Sequence, residues 1–211
     1  MTLRTIETDD DIAEGCAWLA ARCVQLAQTH ERLGPPPLRR RPGGFSALVS
    51  AIVSQQLSVA SAQAVRGRLE GLGGDDPVRL GALDDAALRS AGLSRQKISY
   101  LRALVDAGLD YSALAEMPDE EAIATLTAVK GIGRWTAEIY LMFSLGRPDV
   151  IAADDLALQV GAQLLYGLEK RPTQKALRDR AEAWAPWRAV AARLLWSAYA
   201  DGKKREGVAP V

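Results

Sequence analysis

Two glycines one residue apart, Gly131 and Gly133, lie in the run Val129-Lys130-Gly131-Ile132-Gly133, with a helical pattern on either side, Glu120 to Thr127 and Arg134 to Leu145. Glycine lets a backbone turn sharply and approach a ligand with no side chain in the way. The N–H groups of this run would open the second helix, where the helix dipole also favours an anion, so a phosphate fits there. The same pair could equally make nothing more than a tight turn between antiparallel helices. Three other groups have chemistry to offer. Gln55 and Gln56 stand side by side in the corner Ser54-Gln55-Gln56-Leu57-Ser58. Each amide needs several partners, so the pair either caps the corner or reaches out to bases or phosphates. Arg39-Arg40-Arg41 is a short basic run, read as a solvated loop ahead of a phosphate contact. Asp154-Asp155 precedes a helical pattern, and the plain reading of such a pair is N-capping.

The elements that must hold these groups read as helices throughout. Apolar residues recur with a period near 3.6 from Asp9 to Glu31, including Cys16 and Cys23 on one face. Gly34 and Pro35-Pro36-Pro37 end that helix. Further helices are expected at Phe45 to Val53, Val59 to Leu72, Asp84 to Ser90 and Arg95 to Ala107, the last capped by Ser94. Tyr111 to Leu114 makes at most one turn, and Pro118 opens the helix that enters the glycine hairpin. Beyond it come Leu156 to Tyr166, a helix capped by Thr173 running to Trp184, and a last one from Pro186 to about Asp201-Gly202, with a loose tail from Lys203. No stretch alternates with strand period. The expected fold is all-α, a two-lobed bundle of about ten short helices forming one unit over 1–211. A central lobe of about 45–145 holds the hairpin at 120–145, and a second lobe joins about 1–44 to 146–211.

The chain of 211 residues carries 26 basic and 26 acidic side chains, so a polyanion must be met by a local patch and not by the field of the whole protein. Two cysteines seven apart suit neither a disulfide framework nor a metal site, and both read as small buried apolar residues. No leader sequence precedes Thr8, and no apolar run approaches the roughly 20 residues that span a bilayer. A cytoplasmic protein with no membrane partner is expected, nucleoid-associated if bacterial.

Leu126 to Ala137 resembles the hairpin of the helix-hairpin-helix DNA glycosylases, a superfamily with a Gly/Pro-rich loop and an aspartate after the hairpin. Asp155 stands twenty residues beyond Trp135, the spacing of that family. Ala51-Ile52-Val53-Ser54-Gln55-Gln56-Leu57-Ser58 is similar to its early helix corner, and Gly92-Leu93-Ser94-x-x-Lys97 to its middle segment. The likeness runs from about residue 43 to Trp196. Members that form a Schiff base resemble Gly-x-Gly-x-Lys; here Trp135 fills that place, so no imine and no lyase step are expected. The cysteine cluster of endonuclease III relatives is absent, and no iron–sulfur cluster is expected. Gly131-Ile132-Gly133-Arg134-Trp135-Thr136-Ala137 resembles the alkylpurine branch, of the DNA-3-methyladenine glycosylase II type.

That resemblance implies a monofunctional enzyme that flips an alkylated base (3-methyladenine or 7-methylguanine type) out of duplex DNA and hydrolyses its glycosidic bond. Flipping costs a few kcal/mol. Ring alkylation makes the base cationic and a good leaving group, so one carboxylate can both stabilise the oxocarbenium-like sugar and guide water. The resemblance assigns that role to Asp155, and gives the base pocket Trp135, Trp196, Ile139 and Leu156. An indole face would favour the cationic base by roughly 0.5–2 kcal/mol. Ile139 and Leu156 stand where tyrosines are best known, and the sheet domain of larger members does not appear, so a more open, less aromatic pocket is expected. Trp184 and Trp187 read as core.

For DNA, the resemblance implies a phosphate on the amides of Gly131 and Gly133 with help from Arg134, and a wedge at Gln56 flanked by Gln55 and Leu57. The carbonyls of Thr127, Val129 and Ile132 match a site for a monovalent cation; no other cofactor is required. The expected partner is double-stranded DNA carrying alkylated bases, bound by a monomer. Two alternatives remain open on the sequence: a glycosylase for another lesion class, and a non-catalytic helix-hairpin-helix DNA-binding module.

Overall fold

The structure, a computed structural model, describes residues 4–205. Among them are thirteen α-helices, one short 3-10 turn and no strand. In chain order the helices are α1 (Asp9–Ala20), α2 (Val24–Leu33), α3 (Phe45–Ser54), α4 (Val59–Gly71), α5 (Pro77–Ala82), α6 (Asp85–Ser90) and α7 (Arg95–Asp106). There follow α8 (Tyr111–Glu116), α9 (Asp119–Thr127), α10 (Arg134–Phe143), α11 (Leu156–Tyr166), α12 (Gln174–Ala181) and, after the 3-10 turn Glu182–Trp184, α13 (Arg188–Arg205). The chain divides into two compact units, Met1–Arg40 with Leu141–Val211, and Arg41–Tyr140, the boundary falling inside α10.

The second unit, Arg41–Tyr140, is built on α3 and α7. The α3 stripe Phe45, Leu48, Val49, Ile52 and Val53 is buried, and α7 supplies Ile98, Leu101 and Leu104. Each such side chain taken fully out of water contributes about 1.5–3 kcal/mol. Ser94 caps α7 by accepting from Lys97 N, as expected. Arg102 on α7 donates to the carbonyls of Leu80, Gly81 and Leu83 and pairs with Asp85, so one side chain ties together the short helices α5 and α6. Lys97 Nζ donates 2.6 Å to Val53 O at the end of α3. A cation placed there satisfies a terminal carbonyl and meets the negative end of the helix dipole. The glutamine corner begins at the next residues.

In the first unit α13 packs against α1, α2 and α11. Contact between α11 and α13 needs glycine: a Cβ on Gly161 would lie 2.2 Å from Leu195 O. Trp184 and Trp187 are buried as expected of core residues. The loop between α10 and α11 is anchored by Val150, Ile151, Ala152 and Ala153, all buried, and returns to the surface at Asp154 and Asp155.

Several boundaries differ from the sequence reading. The long first helix breaks at Ala21–Cys23 into α1 and α2. Unbroken, it would run about 35 Å; instead the chain folds back, α1 and α2 pack on each other, and Leu19 and Leu26 are both buried. The two cysteines therefore lie on different elements. Cys16 is buried, whereas Cys23 is half-exposed and lies 3.3 Å from the Tyr166 hydroxyl, so it is not a plain apolar core residue. Asp76 and Pro77 open a helix, α5, in a stretch where the sequence pattern predicts none; the cap and the first-turn proline carry that signal. The last helix starts at Arg188 and continues to Arg205, so Lys203 is helical, and the rest of the expected loose tail lies outside the described residues. Arg40 is not a solvated loop residue. Its guanidinium pairs with Glu7 and donates to Phe143 O and Ser144 O at the end of α10. Arg39 and Arg41 on either side are exposed.

Candidate active site

In the second unit the glycine hairpin is braced from two sides. Gly131 has φ +97°, a conformation that side chains disfavour, and a Cβ there would come within 2.2 Å of Tyr100 Cγ. Its carbonyl accepts from Gln55 Nε2 at 2.9 Å. Gln55 thus ties the glutamine corner to the hairpin. Lys130 Nζ donates to Ser99 Oγ at 3.0 Å, a second tie between the hairpin and α7. Gly133 is exposed, and nothing lies within 4 Å of where its Cβ would be. Its carbonyl accepts from Ala137 N, so α10 starts here and its first-turn amides have no acceptor within the helix. The two glycines do different work: Gly131 makes the turn, and Gly133 leaves the helix N-terminus open to a ligand.

Arg134, expected to help hold a phosphate, is paired with two carboxylates in the free protein. Nη2 lies 2.6 Å from Glu120 Oε1 and Nε 2.9 Å from Glu138 Oε1. The bond to Glu120, then that to Glu138, raises its pKa above the ordinary value. One guanidinium between two carboxylates adds no net positive charge to the hairpin mouth. Of the expected cation-site carbonyls, Val129 O accepts from Ile132 N at 3.0 Å, while Thr127 directs its hydroxyl back to Ile123 O.

Trp135 opens α10 and is 42 % exposed, an unusual position for an indole. Ile139, one turn later on the same helix, is half-buried. At the glutamine corner Gln56 is exposed with φ +57°, a left-handed backbone uncommon for a side chain other than Asn, Asp or Gly. Leu57 and Val59 beside it are 40 % and 62 % exposed. A strained tip flanked by exposed aliphatic groups suits insertion between stacked bases.

In the first unit, Asp155 is the N-cap of α11. Its Oδ1 accepts from Leu158 N at 3.0 Å and from Trp196 Nε1 at 3.2 Å. Capping and chemistry are therefore not alternatives here: the cap fixes the carboxylate at a helix N-terminus, where its charge is also favoured. Gln159 Nε2 donates to Ala153 O at 2.9 Å and braces the loop from below. Asp154 is exposed, 3.9 Å from Arg178 Nη2, and the cap of α11 is Asp155 alone. Leu156 is 57 % exposed. Trp196 is half-buried with its ring centroid 5.6 Å from that of Phe143, so its indole edge is given to Asp155 and part of its surface to Phe143. Phe143, Tyr100 and Lys97 bear on the site but carry no role in the sequence reading. Each looks like an ordinary helix residue until its neighbour in space is known.

Among the described residues no group of three or more His, Cys, Asp or Glu side chains could hold a metal, and no helix is long and apolar enough to cross a membrane.

The sequence matches the HhH-GPD superfamily base excision DNA repair protein family over residues 49–186. DNA-3-methyladenine glycosylase 1 of Schizosaccharomyces pombe is 35 % identical over 161 residues, covering 72 % of this chain and 71 % of that protein. DNA-3-methyladenine glycosylase 2 of Escherichia coli is 33 % identical over 189 residues, 81 % of this chain and 64 % of that one. Among solved structures, a DNA-3-methyladenine glycosidase from Bacillus halodurans superposes with a TM-score of 0.82 at 38 % identity, covering 99 % of this chain and 96 % of that chain. A match of that length, on a helical fold with a glycine hairpin followed by a helix-capping aspartate, settles the relationship: this chain belongs to the HhH-GPD superfamily of base excision DNA repair proteins.

Proposed function

We propose that the protein is a monofunctional DNA glycosylase that flips alkylated bases of the 3-methyladenine and 7-methylguanine type from duplex DNA and hydrolyses the N-glycosidic bond, leaving an abasic site. The observation that carries it is Asp155, held at the end of a buried loop by one backbone and one indole N–H. A carboxylate fixed in this way needs no reorganisation when positive charge develops on the sugar, and it can orient the water that attacks the anomeric carbon. The cationic base departs without a general acid. Relatives named DNA-3-methyladenine glycosylases, and a solved S. pombe 3-methyladenine DNA glycosylase in complex with abasic DNA, 31 % identical with a TM-score of 0.74, support the substrate class.

DNA is gripped without sequence reading. A phosphate meets the first-turn amides of α10 beyond Gly133, and Gln56 with Leu57 fills the stack where the nucleotide has left. The carbonyls of Thr127, Val129 and Ile132, which match the family's hairpin, are the place for a monovalent cation; of the three, Val129 O also accepts from Ile132 N. When bound, such an ion offsets phosphate charge. Trp135 at the start of α10 and Trp196 beside Asp155 are the indoles offered to a cationic base. No lyase step follows base release, because Trp135 has no amine, and Lys97 and Lys130 are engaged with Val53 O and Ser99.

The test is a panel of duplexes, each with one defined lesion, scored for abasic sites by alkaline cleavage. Alkylpurine duplexes are cut only after alkali, and Asp155→Asn binds them but releases no base. Wild-type turnover by that variant rules out the carboxylate. Strand cleavage without alkali contradicts the monofunctional assignment, and activity confined to deaminated or mismatched pyrimidines moves the protein to another lesion class.

A further inference from the structure

Near Asp155 and Trp196 lies a buried charge that the proposed reaction does not use. Arg193 is 2 % exposed and sits on α13 one turn before Trp196. Its Nε and Nη2 donate to Leu38 O, both at 3.3 Å, Nη1 to Ala189 O at 2.9 Å, and Nη2 also to Met142 O at 3.3 Å. Carbonyls alone satisfy it. Burial, with Arg40 and Arg39 nearby, lowers its pKa to about 10. A guanidinium buried without a carboxylate costs stability relative to the aliphatic side chain that the surrounding stripe of Val190, Leu194 and Leu195 would accommodate.

What it supplies is geometry. Its Cζ lies 4.7 Å from the Phe143 ring centroid, a cation–π contact in a desolvated place. Phe143 packs on Trp196 with rings inclined at 35°, and Trp196 Nε1–H reaches Asp155 Oδ1. The carbonyl bonds fix the guanidinium to the loop before Arg39 and to Met142, the residue preceding Phe143. The indole and Arg193 both border a cleft of about 90 Å³, lined also by Pro37, Arg39, Ser197 and Ala200, so close packing does not by itself determine the indole plane.

We infer that Arg193 is a positioning residue: through Phe143 it sets the plane of the Trp196 indole, so that Nε1–H stays on Asp155 and the carboxylate keeps one orientation. It touches no reacting atom. The inference rests on the role proposed above for Asp155.

The test uses the full chain with Arg193→Met, which keeps length and removes the planar cation. Thermal stability is expected to stay level or rise. Affinity for an abasic-analogue duplex stays within about two-fold, while single-turnover release of 7-methylguanine falls about 10-fold. In a Trp196→Phe background the same change costs nothing further, because the indole donor it serves is gone. Nuclear magnetic resonance gives a readout independent of turnover. The Trp196 Nε1–H resonance, identified by its loss in Trp196→Phe, moves in Asp155→Asn and moves the same way in Arg193→Met. Wild-type turnover with an unmoved indole resonance overturns the inference, as does an undiminished loss in the Trp196→Phe background. Should Arg193→Met not fold, Phe143→Leu is read by the same two measurements, and normal turnover with an unmoved resonance again overturns it. Asp155→Asn separates the two claims. If it is inactive and the Arg193 variant is normal, only the positioning role fails; if it is fully active, the glycosylase assignment of Asp155 fails while the indole resonance still decides the contact.

Discussion

Changing each hairpin glycine to alanine should separate what the turn needs from what the ligand needs. At Gly131 the added methyl meets Tyr100 Cγ at 2.2 Å and Cβ at 2.6 Å, on a backbone with φ +97°. A left-handed L-residue costs about 1–2 kcal/mol and overpacking about 1–3 more, against which a stiffer unfolded chain returns about 0.4–1. The expected loss of about 1–5 kcal/mol lowers the melting temperature by roughly 2–18 °C for a chain of this size. At Gly133 the methyl enters open space and the backbone is not left-handed, so the melting temperature should hold within about 1 °C. The loss there should appear only with DNA: a methyl at the helix mouth keeps a phosphate off the amides, costing about 1.5–3 kcal/mol, or roughly 10- to 100-fold in affinity. Calorimetry and fluorescence anisotropy on an abasic-analogue duplex read the two arms. Tyr100→Ala should recover the clash part of the Gly131→Ala loss and leave the backbone part. A Gly131→Ala protein as stable as wild type refutes the bracing argument, and a Gly133→Ala protein with unchanged DNA affinity refutes the phosphate site.

Glu120→Gln should release half of the clamp on Arg134 and strengthen DNA binding about 3-fold, steepening the slope of log affinity against log salt by up to about 0.9; an unchanged slope shows that Arg134 meets no phosphate. Lys97→Met removes the cation at the end of α3 and should cost about 1 kcal/mol by denaturant titration, through the unsatisfied Val53 carbonyl. Stability should fall in alkali. Burial raises the Cys16 thiol to about 11 and Tyr111 to about 12, and raises Tyr140 as well. The folded state holds these protons after the unfolded chain has released them, so their contribution is intact below about pH 8.5 and is lost as pH climbs through the folded values. Melting curves of Cys16→Ala should be flatter than wild type between about pH 9 and 11; identical curves remove the thiol from the account.

Much of the site was legible because its signals are local. A glycine hairpin between two helical patterns, a helix start at Asp155, a tryptophan in place of an amine at 135, and caps at Ser94 and Thr173 depend on a few neighbouring residues. Backbone sterics and hydrogen-bonding capacity act over that range, so residue type and spacing suffice. The misread boundaries also have local causes in part: Asp76-Pro77 announces α5, whereas the break at Ala21–Cys23 is made by α1 and α2 folding back on α13.

The amino-acid sequence by itself determined an all-helical chain, a hairpin able to meet phosphate and the carboxylate to look at. Tertiary structure alone decided how those groups are occupied. It gave Gln55 to the Gly131 carbonyl, placed Arg134 between Glu120 and Glu138, and put the Trp196 indole on Asp155. The partners of Asp155 and Gln55 stand 41 and 76 residues away along the chain. Hydrogen bonds and ion pairs act over a few ångströms of space, and which distant side chains come that close is set only when the helices pack.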